Sequence, residues 1–117
     1  MKNILVTGGA GYIGSHACKA LAKAGYTPIC YDSLERGHEW AVKWGPLEQG
    51  NILDKTRLEE VLKQYQPEAV MHFAGYISVE ESVKAPALYQ RNNVEGSKVL
   101  IDAAVAHNIK QFIFSST

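Results

Sequence analysis

The sequence predicts a doubly wound α/β fold: a parallel sheet in the order 3-2-1-4-5, flanked by helices on both faces. Three observations carry this. The strand-like runs are short and almost continuously apolar, without the alternation of a sheet that has one wet face, so both faces are covered. Segments with helical spacing separate the runs, and parallel neighbours need such crossovers, which are right-handed. A glycine cluster lies between the first run and the first helical segment, at the turn where sheets of this kind place a ligand.

The first strand is expected over residues 3–7, Asn-Ile-Leu-Val-Thr. Ile13, Ala17, Ala20, Leu21 and Ala24 then recur at helical spacing, and Gly25 supplies a left-handed stop. Residues 28–32 read as a second strand, with Pro28 at its first position and Asp32 at its end. Between 33 and 46 the pattern loosens; Trp40, Ala41 and Trp44 share one face of a short helix and are expected to pack as local core. A third strand is expected over 47–52. The helix after it carries Leu58, Val61, Leu62 and Tyr65 on one stripe, with Asp54 as a cap and Thr56-x-x-Glu59 as a capping box. The fourth strand covers 69–75 and a loop runs from 76 to 85. Pro86 opens a long helix whose Tyr89, Gly96, Val99, Leu100, Ala103 and Ala104 face the sheet, and 110–115 form the fifth strand.

Composition narrows the functional classes. The 117 residues balance 12 basic against 12 acidic side chains and are 46% apolar, which suits one globular domain over 1–117 and gives no basic field for a phosphate backbone. No apolar run approaches the roughly 18–20 residues of a membrane span, and no signal peptide is read at the start, so a cytoplasmic protein is expected. Cys18 and Cys30 have neither metal nor disulfide-framework spacing and read as small buried apolar groups. His16, His38, His72 and His107 share no ligand spacing, so no metal is assigned.

The chemistry concentrates in Thr7-Gly8-Gly9-Ala10-Gly11-Tyr12-Ile13-Gly14. A helix amino terminus offers unpaired N–H groups and positive partial charge, a ready seat for a pyrophosphate. Gly8 allows the tight turn, Gly11 lets a phosphate approach the backbone, and Gly14 lets helix and strand pack closely. Asp32 follows Gly14 by 18 residues at the end of the second strand, where a carboxylate can accept from both ribose hydroxyls of an adenosine. An acid there repels a 2′-phosphate and favours NAD over NADP, although Arg36 could accommodate such a phosphate. Asn51-Ile52, Phe73-Ala74-Gly75 and Ser115-Ser116-Thr117 lie at other strand ends on the same edge.

These segments, together with Tyr31-Asp32, Glu81-Ser82-Val83, Asn92-Asn93-Val94 and Phe112-Ile113-Phe114, make the chain resemble the amino-terminal part of UDP-glucose 4-epimerases, members of the extended short-chain dehydrogenase/reductase family with a Rossmann-like fold. Nucleotide-sugar dehydratases and decarboxylases share parts of the pattern. The resemblance implies NAD-dependent inversion at carbon 4 of a UDP-hexose through a 4-keto intermediate. By matched position it puts Tyr12-Ile13 beside the pyrophosphate, Asp32 on the adenosine ribose and Asn51-Ile52 near adenine. Phe73-Ala74-Gly75 would line the cofactor groove, Asn92 would contact the cofactor region, and Ser115 with Thr117 would lie at the nicotinamide and sugar. Thr117 matches the family's catalytic Ser or Thr, which hydrogen-bonds the reacting hydroxyl.

Four departures stand out. Ser33 replaces a frequent Asn, Asn51 a common Asp, and Ile77 a Lys found in some members. The family's Tyr-x-x-x-Lys does not occur in the 117 residues, so the general base is missing and the chain is expected to be an inactive piece of a longer epimerase. A stand-alone dinucleotide-binding module is the competing expectation. A third is assembly, a homodimer or pairing through the fifth strand as an uncovered edge.

Overall fold

The computed structural model describes residues 2–34, 40, 42–73, 95–109 and 111–114. In chain order the elements are β1 (Asn3–Thr7), α1 (Tyr12–Lys23), β2 (Thr27–Asp32), β3 (Leu47–Gln49), α2 (Lys55–Tyr65), β4 (Ala69–His72), α3 (Gly96–Ala106) and β5 (Gln111–Phe114). The strands are all parallel in the order β3-β2-β1-β4-β5, as expected. Central β1 pairs Thr7 with Tyr31 on one side and with His72 on the other. The carboxyl ends of the three strands are therefore level, and Gly8, Asp32 and Phe73 emerge along one edge.

Parallel strands bury both faces, and alternate residues of each strand go to different sides. Leu5, Ile29, Tyr31 and Val70 enter a core closed by Leu58, Val61 and Leu62 of α2 and Leu100, Ala103 and Ala104 of α3. Ile4, Val6 and Ala69 face the other way and meet Cys18 of α1, with Leu21, Met71 and Phe73 packed around them. Cys18 and Cys30 are both buried free thiols, and burial raises the Cys18 thiol to about 11, so it stays protonated and inert.

Several local expectations change. On α1 the buried positions are Gly14 and Cys18, with Ala17 and Leu21 half-buried; Ile13, Ala20 and Ala24 are exposed. The apolar stripe is thus rotated by about one residue, because small Gly14 and Cys18 allow the helix to lie close to the sheet. β3 stops at Gln49, and Asn51-Ile52 follow as a turn into α2. The Asp54 side chain accepts from the Arg57 N–H at 3.1 Å and starts α2 as expected, which places Thr56 inside the helix and leaves no capping box. Trp40 and Trp44 are not core: they are 72% and 38% exposed, and the Lys19 Nζ lies 5.9 Å from the Trp44 ring centroid. Ala41, the 74–94 segment with Pro86 and Tyr89, and Lys110 lie outside the described residues.

Candidate functional site

The glycine-rich turn is set by its backbone. Gly8 has a φ of 72°, left-handed space that side chains disfavour, and its N–H donates to the Tyr31 carbonyl at 2.8 Å. The Gly11 N–H returns to the Gly8 carbonyl at 3.1 Å and closes the turn. A β-carbon on Gly14 would overlap that same carbonyl oxygen, so only glycine lets α1 start this close to the strand end. The α1 amino terminus has Gly11 as its cap, with no side-chain cap and no acid in its first turn. Its first-turn N–H groups therefore keep their pull on an anion. Tyr12 and Ile13 are exposed on that turn, and the Tyr12 ring meets His16 edge-on at 4.7 Å.

Asp32 joins this turn to the next strand. Only 8% exposed, it accepts the Ala10 N–H on Oδ2 at 3.0 Å and the Leu34 N–H on Oδ1 at 2.7 Å. Each carboxylate oxygen has a second lone pair, so two backbone bonds leave capacity for two hydroxyls. The carboxylate that the sequence offers for a ribose thus also caps the turn. The sequence shows Asp32 but not its bond to Ala10, which depends on how tightly the turn closes.

Asn51 sits beside Asp32, since the Gly50 N–H donates to the Asp32 carbonyl at 3.0 Å. The Asn51 Oδ1 accepts from the Leu53 N–H at 2.9 Å. Ile52 is buried in the core, with its side chain against Gly96 of α3. Phe73 is half-buried, and its N–H donates to the Thr7 carbonyl at 2.9 Å. Backbone and carboxylate bonds therefore hold Gly8, Gly11, Asp32, the turn at Asn51 and Phe73 at one edge of the sheet, where Tyr12, Ile13 and Gly14 follow as the first turn of α1. Ala74, Gly75, Asn92, Ser115 and Thr117 lie outside the described residues.

A second polar feature at the same edge has no local signature in the sequence. His72 is 3% exposed; its Nδ1 meets the Thr7 hydroxyl at 2.5 Å and its Nε2 the Ser97 hydroxyl at 3.1 Å. A neutral imidazole has one donor and one acceptor nitrogen, so hydroxyls on both sides suit it. Burial lowers its pKa to about 4, and the neutral form is the working one. The bridge links β1, β4 and α3 directly behind the glycine turn. Its partners are 65 and 25 residues away in sequence, beyond the reach of any local pattern.

With this geometry in view, the comparisons decide the family. The model for the NAD dependent epimerase/dehydratase family matches residues 4–117. The chain belongs to that family. Among its relatives, the UDP-glucose 4-epimerase of Rhizobium meliloti (strain 1021) is 57% identical over 98% of this chain and 35% of the relative. The Homo sapiens UDP-glucose 4-epimerase is 39% identical over 99% of this chain and 37% of its own length. The structure of the Brucella ovis UDP-glucose 4-epimerase in complex with NAD superimposes with a TM-score of 0.96 at 51% identity, covering 99% of this chain and 36% of that one. The Thermotoga maritima UDP-glucose 4-epimerase with UDP-glucose gives 0.94 at 40% identity, covering 98% and 38%. This chain spans about a third of the length of the relatives it matches.

Proposed function

We propose that residues 1–117 form the NAD-binding part of a UDP-glucose 4-epimerase. The observation that carries this is the Ala10–Asp32 bond, which sets a ribose-type carboxylate against a helix amino terminus with no side-chain cap. The residues fit the dinucleotide: the α1 first turn, Tyr12 and Ile13 for the pyrophosphate, Asp32 for the adenosine ribose, and the Asn51-Ile52 turn beside it for adenine. Phe73-Ala74-Gly75, Asn92 and Ser115 would line the rest of the groove, with Thr117 holding the reacting sugar hydroxyl. NAD supplies reversible hydride acceptance at the sugar carbon. NAD is favoured over NADP because the buried Asp32 would face a 2′-phosphate.

The relatives' names support a UDP-hexose as substrate of the whole protein, and a cytoplasmic location fits that substrate. By itself this chain is proposed to bind nucleotide without epimerising, because no tyrosine here has a lysine four positions on. Native mass measurement of the purified protein tests the first part: a co-purified dinucleotide is expected, and persistent absence after NAD addition counts against it. UDP-galactose conversion by these 117 residues above background would overturn the second. The same missing pair favours one other reading, a dinucleotide-binding module that acts without sugar chemistry, and conversion by the longer protein would exclude it.

A further inference from the structure

Next to the proposed adenosine end, the chain spends an unusual side chain on a backbone position. Tyr31 is the penultimate residue of β2, and its ring is wholly buried in the core under α2 and α3. Its hydroxyl reaches out of that core and donates to the Asn51 carbonyl at 2.7 Å. The same carbonyl accepts the Asp54 N–H at 3.0 Å, so it would be satisfied without the phenol. A phenylalanine would fill the ring's volume equally well. The hydroxyl adds position rather than apolar packing. Burial raises its pKa first of all, which keeps it a donor.

The segment held in this way is a turn at the edge of the sheet, anchored on one side by buried Ile52 and by the Gly50 N–H on the Asp32 carbonyl. β3 is a three-residue edge strand whose ladder ends at Gln49. Gly50 lies directly on the phenol: a β-carbon there would stand 2.5 Å from the Tyr31 hydroxyl oxygen and 2.8 Å from Arg57 Cγ. Arg57 braces the strand from the other side, its Nε donating to the Gln49 carbonyl at 3.1 Å and its guanidinium to Glu48 at 2.8 Å. The Asn51 side chain then commits Oδ1 to the Leu53 N–H and keeps its amide hydrogens as donors. Adenine presents an acceptor at N1, whereas hypoxanthine carries a hydrogen there.

We propose that the Tyr31 hydroxyl is a positioning group for the base of the dinucleotide, acting through the Asn51 carbonyl, with Arg57 as a weaker second brace. This rests on the dinucleotide reading of the groove given above. Calorimetric titration of NAD and of nicotinamide hypoxanthine dinucleotide into the protein and its Tyr31→Phe variant tests it. The unmodified protein is expected to prefer NAD. Tyr31→Phe should weaken NAD by about five- to tenfold, the worth of one buried hydrogen bond, and move the hypoxanthine form by less than about twofold. A general loosening would lower both affinities by one factor, and that result, unchanged affinities, or no base preference in the unmodified protein would overturn the proposal. Binding of neither dinucleotide by the folded, unmodified protein would instead overturn the groove reading itself. Should Tyr31→Phe not fold, the exposed-side variant Arg57→Met decides on the same criterion, with an expected NAD-selective loss of about two- to threefold.

Discussion

Among the described residues, the core cluster under α2 and α3 joins eleven buried side chains, among them Leu58, Leu62 and Leu100, whereas the cluster under α1 joins four, Ile4, Val6, Cys18 and Ala69. The first face is closed by interdigitated large residues. On the second, α1 comes down on the sheet through small residues and backbone, Gly14 against the Gly8 carbonyl and Cys18 against the core. On the α1 side, Ile113 of β5 remains 52% exposed among the described residues. Among the described residues, the larger apolar cluster therefore lies on one side and the glycine turn of the proposed site on the other. Large side chains near the glycine turn would block the approach of a phosphate, so the small residues there suit the proposed site.

The contrast can be broken by substitution on each side. Leu58→Ala removes a wholly buried side chain from the thick face and should destabilise by about 2–5 kcal/mol in chemical denaturation, with the residual dinucleotide site unchanged in the folded fraction. Acid should act at the boundary between the faces. His72 is held neutral with a pKa near 4 against about 6.5 when unfolded, so stability is full above about pH 6.5 and falls as pH drops toward 4. The loss is at most about 3 kcal/mol, and His72→Gln should flatten that part of the stability profile. A profile already flat between pH 6.5 and 4 in the unmodified protein would refute the buried bridge.

Gly14→Ala should cost about 1–3 kcal/mol despite the better helix propensity of alanine, because the new methyl meets the Gly8 carbonyl, and should weaken NAD by at least about tenfold. Cys18→Ala, which deletes a small group from the thin face, should cost about 1 kcal/mol and leave binding intact. Parity with Leu58→Ala would erase the distinction between the faces. The smallest effect belongs to Glu48→Gln. Its carboxyl is held below the usual range chiefly by the Tyr65 hydroxyl and then by Arg57, but the Arg57 pair is partly exposed, so about 0.5–1 kcal/mol is expected, present at neutral pH and fading as pH falls below the ordinary carboxylate value.

Much of this was legible in the sequence, for identifiable reasons. The boundaries of β1, the Gly25 stop, the Asp54 cap and the strand order follow from short-range patterning, and the turn with Asp32 follows from spacing. What escaped depends on three-dimensional closeness. Ile13, Ala20 and Ala24 look core-facing by period alone, but the close approach at Gly14 and Cys18 rotates the buried stripe. Apolar character alone does not bury Trp40 or Trp44, which stay 72% and 38% exposed. The bonds from Asp32 to Ala10, Tyr31 to Asn51, and His72 to Thr7 and Ser97 join residues 20 to 65 positions apart, where the local alphabet is silent.

The amino end of α1 and the Asp32 carboxylate are proposed together to hold an oxidised nicotinamide dinucleotide. Titration calorimetry of NAD into material whose circular dichroism shows the folded α/β chain tests it most directly. The account predicts saturable heat at one equivalent, lost on Asp32→Ala; a flat titration of the folded, unmodified protein would contradict it.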